Sequence, residues 1–362
     1  MELFWYLVTA FLLIVFFVLD GYDFGVGIIH LFYAKSESDR KVVAKAAGLF
    51  WDSNEVWLVA AGGMLFMAFP TFYASVFSGF YLPLIIVLWL IVFRAIGLEF
   101  RGLISFQMWK DFWDKSFGIS SLLLALFFGI ALGNIVRGVD LGSVGHIANG
   151  QTPVIVHEAH FFFLPLWTNF DALNPSPGVI DWFTILIGLI AVVTLATHGA
   201  NWIVLKTEAS INADLKKLVF KLNSLHLLLS ILALGLWQLI RPDALTQFLD
   251  HPLYLVFPMI YFVGLFALFF TKKMKSDLTP FLFSSAVIVG GISASLAALF
   301  PVILPSTNAI NPALTIYNTS AGPYALEAAL PWGIFGLVLT LVYFFIQRRL
   351  TRGKVDGRDY GH

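Results

Sequence analysis

Nine stretches of about 20 apolar residues constrain this chain more than anything else in it: roughly 4–34, 47–69, 76–100, 116–136, 179–205, 219–240, 253–271, 280–303 and 330–350. Each is long enough to cross ~30 Å of hydrocarbon as a helix, and far longer than the ~9–11 alternating residues of a barrel strand. A helix also satisfies its own backbone hydrogen bonds where water is absent. The expected fold class is an all-α polytopic membrane protein with nine transmembrane helices, arranged as two four-helix bundles plus one peripheral helix.

Hydrophobic residues make up 59% of the 362 and charged residues only 12%. Soluble domains carry about 25% charged residues, so most of this surface must face lipid. Lys+Arg and Asp+Glu balance at 22 each, which removes any electrostatic case for nucleic acid as a partner. With no cysteine, the chain by itself forms no disulfide, iron–sulfur or thiolate–metal site. The first apolar stretch exceeds the ~7–15 residues of a signal-peptide core, and no Lys or Arg precedes Lys35, so it is expected to remain as the first span.

The basic residues set an orientation. Lys35, Arg40, Lys41 and Lys45 follow the first span, and Arg101, Lys110 and Lys115 follow the third. Lys206, Lys216, Lys217 and Lys221 follow the fifth, and Lys272, Lys273 and Lys275 the seventh. Arg348, Arg349, Arg352, Lys354 and Arg358 follow the ninth. In a nine-span arrangement all of these lie on one side, leaving only Arg137 and Arg241 opposite and Arg94 inside a span. The positive-inside rule makes that side cytoplasmic, with the N-terminus outside and the C-terminus inside. The expected layout is a single transmembrane domain with external loops at 137–178 and 304–329 and a cytoplasmic tail at 351–362. The first loop contains the apolar piece Phe161-Phe162-Phe163-Leu164-Pro165-Leu166-Trp167, suited to the headgroup region.

Two acidic motifs interrupt the apolar runs: Asp20-Gly21-Tyr22-Asp23-Phe24-Gly25-Val26-Gly27 and Trp51-Asp52-Ser53-Asn54-Glu55-Val56-Trp57. A charge at the bilayer centre costs roughly 2.5–3.5 kcal/mol on insertion scales, so four carboxylates need a cause. Asp20 and Asp23 are three apart and share a helix face, as do Asp52 and Glu55. Orientation puts Asp23 about 16 Å from the cytoplasmic end of the first span and Asp52 about one and a half turns inside the second. Arg94, Glu99 and Asp114 fall at the same end of the third and fourth spans. The expectation is a cytoplasmic-side polar network of Arg94, Glu99 and Asp114 around the four acids. Gly21, Gly25 and Gly62-Gly63 are placed for close helix contacts. Two readings stand: proton or ion handling, or ion pairs that serve only as buried structural glue.

Other signals are weaker. His198 and His226 lie within or near spans five and six, yet an isolated intramembrane histidine is more often a packing residue than a haem ligand. His157-Glu158-Ala159-His160 lacks the i,i+4 spacing that sets two imidazoles on one helix face, and reads as a loop segment. Trp57 either lines a cavity beside the acids or packs against lipid.

Together with Phe77-Ser78-Gly79-Phe80-Tyr81, Phe93-Arg94-Ala95-Ile96-Gly97, Gly133-Asn134, Thr197-His198-Gly199-Ala200, Phe300-Pro301 and Pro305-Ser306, the two acidic motifs resemble subunit II of the cytochrome bd quinol oxidases. The resemblance runs the length of the chain and is strongest in its first hundred residues. It implies a subunit of a terminal oxidase of a bacterial or archaeal cytoplasmic membrane. Such an oxidase oxidises membrane quinol and reduces dioxygen to water with cytoplasmic protons. It implies a heterodimer with subunit I, which holds two haems b and haem d, so that no catalytic residue or metal ligand lies in this chain. Small accessory membrane subunits and a bound structural quinone also occur with such chains. Carried over by matching positions, Asp52 belongs to a proton path, Trp57 to oxygen access, and Asp23, Arg94 and Asp114 to sensitive polar sites; their place beside Asp52 adds Asp23, Asp20 and Glu55 to the expected proton path. Ser53 stands where the family usually has glycine, and the loop from Arg137 to Gly178 departs from the family pattern. The competing readings are a proton-coupled secondary transporter and a purely structural scaffold subunit.

Overall fold

The structure is a computed structural model; it describes residues 1–141, 166–167, 170–208, 210–307, 313–351 and 353–355. Its helices are α1 (Glu2–Phe32), α2 (Glu37–Gly48), α3 (Trp51–Ala68), α4 (Pro70–Gly79), α5 (Tyr81–Phe100), α6 (Gln107–Arg137), α7 (Trp182–Lys206), α8 (Asn212–Ile240), α9 (Ala244–Asp250), α10 (Val256–Ala267), α11 (Leu278–Leu299) and α12 (Pro323–Leu350). Short 3-10 segments, Pro252–Leu255 and Leu268–Lys273, extend α10 at both ends. Among the described residues eight helices are long and apolar enough to span a membrane, or nine when the bent segment ending in α4 counts as one span. The nine-span expectation holds in that sense.

The second and third spans are built differently from expectation. The chain turns by 118° between Glu37–Ala68 and Pro70–Gly79. Pro70 has no N–H to donate and disfavours helical geometry at the residue before it, so Phe69 leaves the helix at φ −132°, ψ 60° and Pro70 opens α4. The run expected to begin a span near 76 is this short helix, and the span proper starts at Tyr81. A separate amphipathic helix, α2, precedes the second span; its N-cap Ser36 accepts a hydrogen bond from the Asp39 N–H. The eighth span stops at Leu299, and β1 (Val302–Leu304) pairs antiparallel with β2 (Leu314–Thr315) in an otherwise helical chain.

The packing follows two groups of four. In the first, α1 lies against α3 and α6, and α5 against α6; in the second, α7 meets α8 and α11, and α10 meets α11. The groups join where α7 packs on α1 and α6. The α1–α7 crossing is possible only because both residues at its closest point are glycine. A Cβ on Gly25 would sit 1.9 Å from the Leu195 carbonyl oxygen, and one on Gly199 2.2 Å from the Gly25 carbonyl carbon. Gly62 and Gly63, expected to serve a similar contact, have no neighbour within 4 Å of a built Cβ; Gly63 faces an open groove between α3 and α12 instead. Helix α12 is the peripheral ninth, resting on α3 and largely exposed.

Candidate functional site

Burial of α1 between α3, α6 and α7 forces its two aspartates out of any solvent: Asp20 is 1% exposed and Asp23 0%. Buried charges survive only when paired and hydrogen-bonded, and here α5 supplies the counter-charge. Arg94, itself fully buried, donates from Nη1 to Asp20 Oδ1 at 2.7 Å and from Nη2 to Asp20 Oδ2 at 3.2 Å. Its Nη2 also donates to Glu55 Oε1 on α3, and its guanidinium lies 4.7 Å from the centre of the Phe24 ring.

Asn54, one residue before Glu55, ties in the other aspartate. Its Nδ2 reaches Asp23 Oδ2 and the Tyr22 hydroxyl, each at 2.7 Å, and the Leu19 carbonyl at 3.3 Å. Tyr22 stacks on Trp202 of α7 with centroids 3.9 Å apart, which fixes the cluster to the second group of helices. Glu55 is the member with an outlet, since its side chain keeps 23% of its exposure.

Asp52 is not part of this cluster. It sits in the first turn of α3 with its side chain exposed, shallower than its expected depth, because the helix starts at Trp51 instead of near 47. It shares a helix face with Glu55, so it stands beside the outlet. Glu99 is also exposed and accepts a hydrogen bond from Trp51 Nε1 at 3.1 Å. The network expected around Arg94, Glu99 and Asp114 is thus three separate arrangements.

Asp114 anchors its own. It takes bonds from His30 Nε2 at 2.7 Å, Arg101 Nε at 2.5 Å and Arg40 Nη1 at 3.2 Å. Arg101 and Lys110 both reach Glu37, at 3.0 and 3.3 Å. Burial works against the charge on Arg101, but its bonds to Asp114 and the nearby Glu37 outweigh that and raise its proton affinity. These contacts pin α2 to the C-terminal ends of α1 and α5 and to the N-terminal end of α6. His30, Arg101, Arg40, Asn54 and Tyr22 escaped sequence reasoning. Asn54 and Tyr22 lie inside the two acidic motifs, and His30 is two helical turns from Asp23 on the same side of α1, so spacing held a signal for these three.

Trp57 is 1% exposed, one turn along α3 from Asn54, and its indole N–H has no partner among the described residues. Phe11 and Phe344 meet it edge to face at 6.3 and 6.0 Å. It borders an apolar cavity of about 750 Å³ between α1, α11 and α12, together with Tyr6, Ala10, Ser293 and Leu341.

The two intramembrane histidines are engaged in packing. His198 donates from Nε2 to the Val18 carbonyl at 2.9 Å and meets Ser284 Oγ through Nδ1 at 2.7 Å, so both ring nitrogens are taken. His226 Nε2 contacts Thr194 Oγ1 and the Tyr261 hydroxyl at 3.2 and 2.8 Å. Among the described residues no group of three or more His, Cys, Asp or Glu is placed to hold a metal ion. His157, His160 and the apolar piece up to Pro165 lie outside the described residues.

Residues 1–350 match the family described as cytochrome bd terminal oxidase subunit II. This chain belongs to that family. It is 28% identical to the probable cytochrome oxidase subunit 2 of Haemophilus influenzae, over 97% of this chain and 94% of that one. It is 26% identical to the cytochrome bd-I ubiquinol oxidase subunit 2 of Escherichia coli K12, over 97% and 96%. The cytochrome bd ubiquinol oxidase subunit 2 of Bacillus subtilis is 27% identical, over 89% and 87%. The fold is that of a chain in the bd oxidase of Geobacillus thermodenitrificans, with TM-score 0.61 at 13% identity over 96% of this chain and 97% of that one. As subunit II of a cytochrome bd-type quinol oxidase, the chain is a multi-pass membrane component of a haem-using quinol:oxygen oxidoreductase, and family membership implies a subunit I partner.

Proposed function

We propose that this subunit conducts cytoplasmic protons toward haem held by subunit I, through Asp52 and Glu55 at the surface and Asp20 and Asp23 behind them. Reduction of dioxygen to water consumes one proton per electron, so a complex that draws these from the cytoplasm needs a polar route through an apolar wall. The observation that carries the reading is the fully buried Asp20–Arg94–Asp23 cluster opening at Glu55, one helical turn from exposed Asp52. All of it lies in the half of these helices whose ends gather Lys and Arg, which supports a cytoplasmic mouth, an outside N-terminus and an inside C-terminus.

In this reading Asp52 collects protons from solvent and passes them along its own helix face to Glu55. Arg94 holds the acids in place and lowers the cost of charge in the membrane without moving protons itself. Two haems b and haem d belong to subunit I, where they supply electron transfer and oxygen chemistry when bound; this chain supplies no ligand to them. Quinol is oxidised on subunit I as well. The cavity beside Trp57 suits apolar guests, and we assign it to oxygen access, with room for the tail of a structural quinone. Glu99 and Asp114 hold the cytoplasmic ends together.

Asp52→Asn in the assembled oxidase tests this directly. Oxygen consumption and proton uptake are expected to fall together while haem content stays normal. Normal turnover with normal uptake in that variant overturns the role of Asp52, and the same result at Glu55→Gln would leave the subunit as scaffold.

A further inference from the structure

We propose that Asp23 stands protonated within the membrane beside ionised Asp20, so that the cluster holds a stored proton next to its outlet. This deepens the proton-uptake reading and rests on it for the proton's use, though not for its existence.

The argument begins with charge. Three carboxylates, Asp20, Asp23 and Glu55, face one guanidinium, Arg94, and Asp20, Asp23 and Arg94 are fully buried. The other groups around them add no balancing charge. From α3 comes the neutral amide of Asn54, and from α1 the Tyr22 hydroxyl. On α7, His198 lies 6.2 Å from Tyr22, ring to ring, with its nitrogens occupied by Val18 and Ser284. Arg348 of α12 is exposed, 5.9 Å above the far partner Trp202, where water screens it. With every acid ionised, one uncompensated charge would lie fully buried among apolar helices beside that of half-open Glu55, and neighbouring carboxylates that share a site do not readily both ionise.

Hydrogen-bond geometry says which acid keeps the proton. Asp20 accepts from both terminal nitrogens of Arg94, which fixes the anion there. Among the described residues Asp23 has only the neutral Asn54 amide, at Oδ2, while its buried Oδ1 accepts from no N–H or hydroxyl donor. Asp20 and Asp23 also share one face of α1, three residues apart, so two anions here would repel each other at close quarters. Asp23 is therefore the acid, and its Oδ1 is the oxygen left to carry the hydrogen. No bond beyond this O–H is made or broken, and exchange with solvent runs through Glu55.

Infrared spectroscopy of the intact oxidase tests the proposal. The expected result is the carbonyl band of a neutral carboxylic acid that shifts in D₂O, is lost in Asp23→Asn, moves in Asp23→Glu and persists in Glu55→Gln. A band unchanged in the Asp23 variants overturns the proposal, as does its absence from the wild type. If Asp23→Asn does not assemble, Asp23→Glu decides alone: a moved band supports the stored proton on this residue and an unmoved one refutes it. Proton uptake measured on the same preparations separates the two readings. A lost band with normal uptake refutes the path and leaves the stored proton, whereas slowed uptake with an unchanged band does the reverse.

Discussion

Two buried polar clusters face each other across this molecule, and they differ in kind. The one between α1, α3 and α5 is ionic, carries more acid than base, and reaches the surface at Glu55. The one between α7, α8 and α10 is neutral and closed. There Thr194 and Ser230 spend their hydroxyl hydrogens on the Ile190 and His226 carbonyls at 2.7 and 2.8 Å. Ser230 must therefore accept from Tyr261 at 2.5 Å, and Tyr261 from the Nε2–H of His226 at 2.8 Å. The chain of donors runs from His226 back to its own carbonyl. Every hydrogen has a destination and none can leave, so this cluster ties helices together. The ionic one has an excess of acceptors and an exit, which is what conduction of protons needs.

Breaking the ion pair has the largest expected effect. Arg94→Gln leaves Asp20 and Glu55 facing one another without a counter-charge in a buried site. Loss of one partner of a buried pair costs about 3–5 kcal/mol. The variant is expected to yield little assembled complex, with a sharply lowered melting temperature in detergent. Wild-type assembly and melting would mean that the cluster is not dry enough to need its arginine, and the contrast with the neutral cluster would lose its force.

Asp52→Asn is expected to separate function from stability. The side chain is exposed and outside the buried cluster, so melting should not change, while turnover falls about tenfold, equivalent to ~1.4 kcal/mol in the barrier. Oxygen consumption and thermal melting on one preparation check both halves. Equal loss of both would turn Asp52 into a packing residue.

The nine spans were legible because hydrocarbon thickness imposes one length on every crossing helix, and lysine and arginine mark one side of each. Asp20 and Asp23 were legible as a shared face for the same reason of period. The depth of Asp52 was not, because the start of α3 at Trp51 depends on α2 docking through Glu37, Arg40 and Asp114, contacts with no local signature. Nor did the sequence separate Asp114 and Glu99 from Arg94. All three lie toward the same end of their helices, and only depth along α5 and the rotation of each helix about its axis assign their partners. Asn54 shows the same limit: its place in the motif was visible, but not that its amide would bridge Asp23 and Tyr22.

Tyr261→Phe probes the closed cluster alone. The change removes one buried neutral hydrogen-bond partner, worth about 1 kcal/mol, from a network expected to have no part in proton transfer. Melting should fall modestly and oxygen consumption stay at the wild-type rate. A slowed oxidase with normal melting would show that protons pass through the second group of helices too, which the closed chain of donors forbids.

The smallest effect is expected from an ion pair outside the membrane, where water does most of what Arg94 does within it. Asp277, just before α11, meets Lys216 at 2.8 Å and Lys354 at 3.5 Å. Partial burial raises its proton affinity, but the two lysines outweigh that and hold the carboxyl below its usual value of 3.8. A group more acidic in the folded protein stabilises it above the unfolded value, and that stability is lost as pH falls through the lower folded value. Asp277→Asn should therefore lower the melting temperature slightly at neutral pH, on the scale of an exposed pair at about 0.5 kcal/mol or less. The difference from wild type should vanish in acid below the carboxylate range, and shrink at high salt at any pH. A difference that persisted in acid would trace the effect to packing of the side chain and not to its charge. The contrast with Arg94 would then rest on shape as much as on the dielectric surroundings of the two pairs.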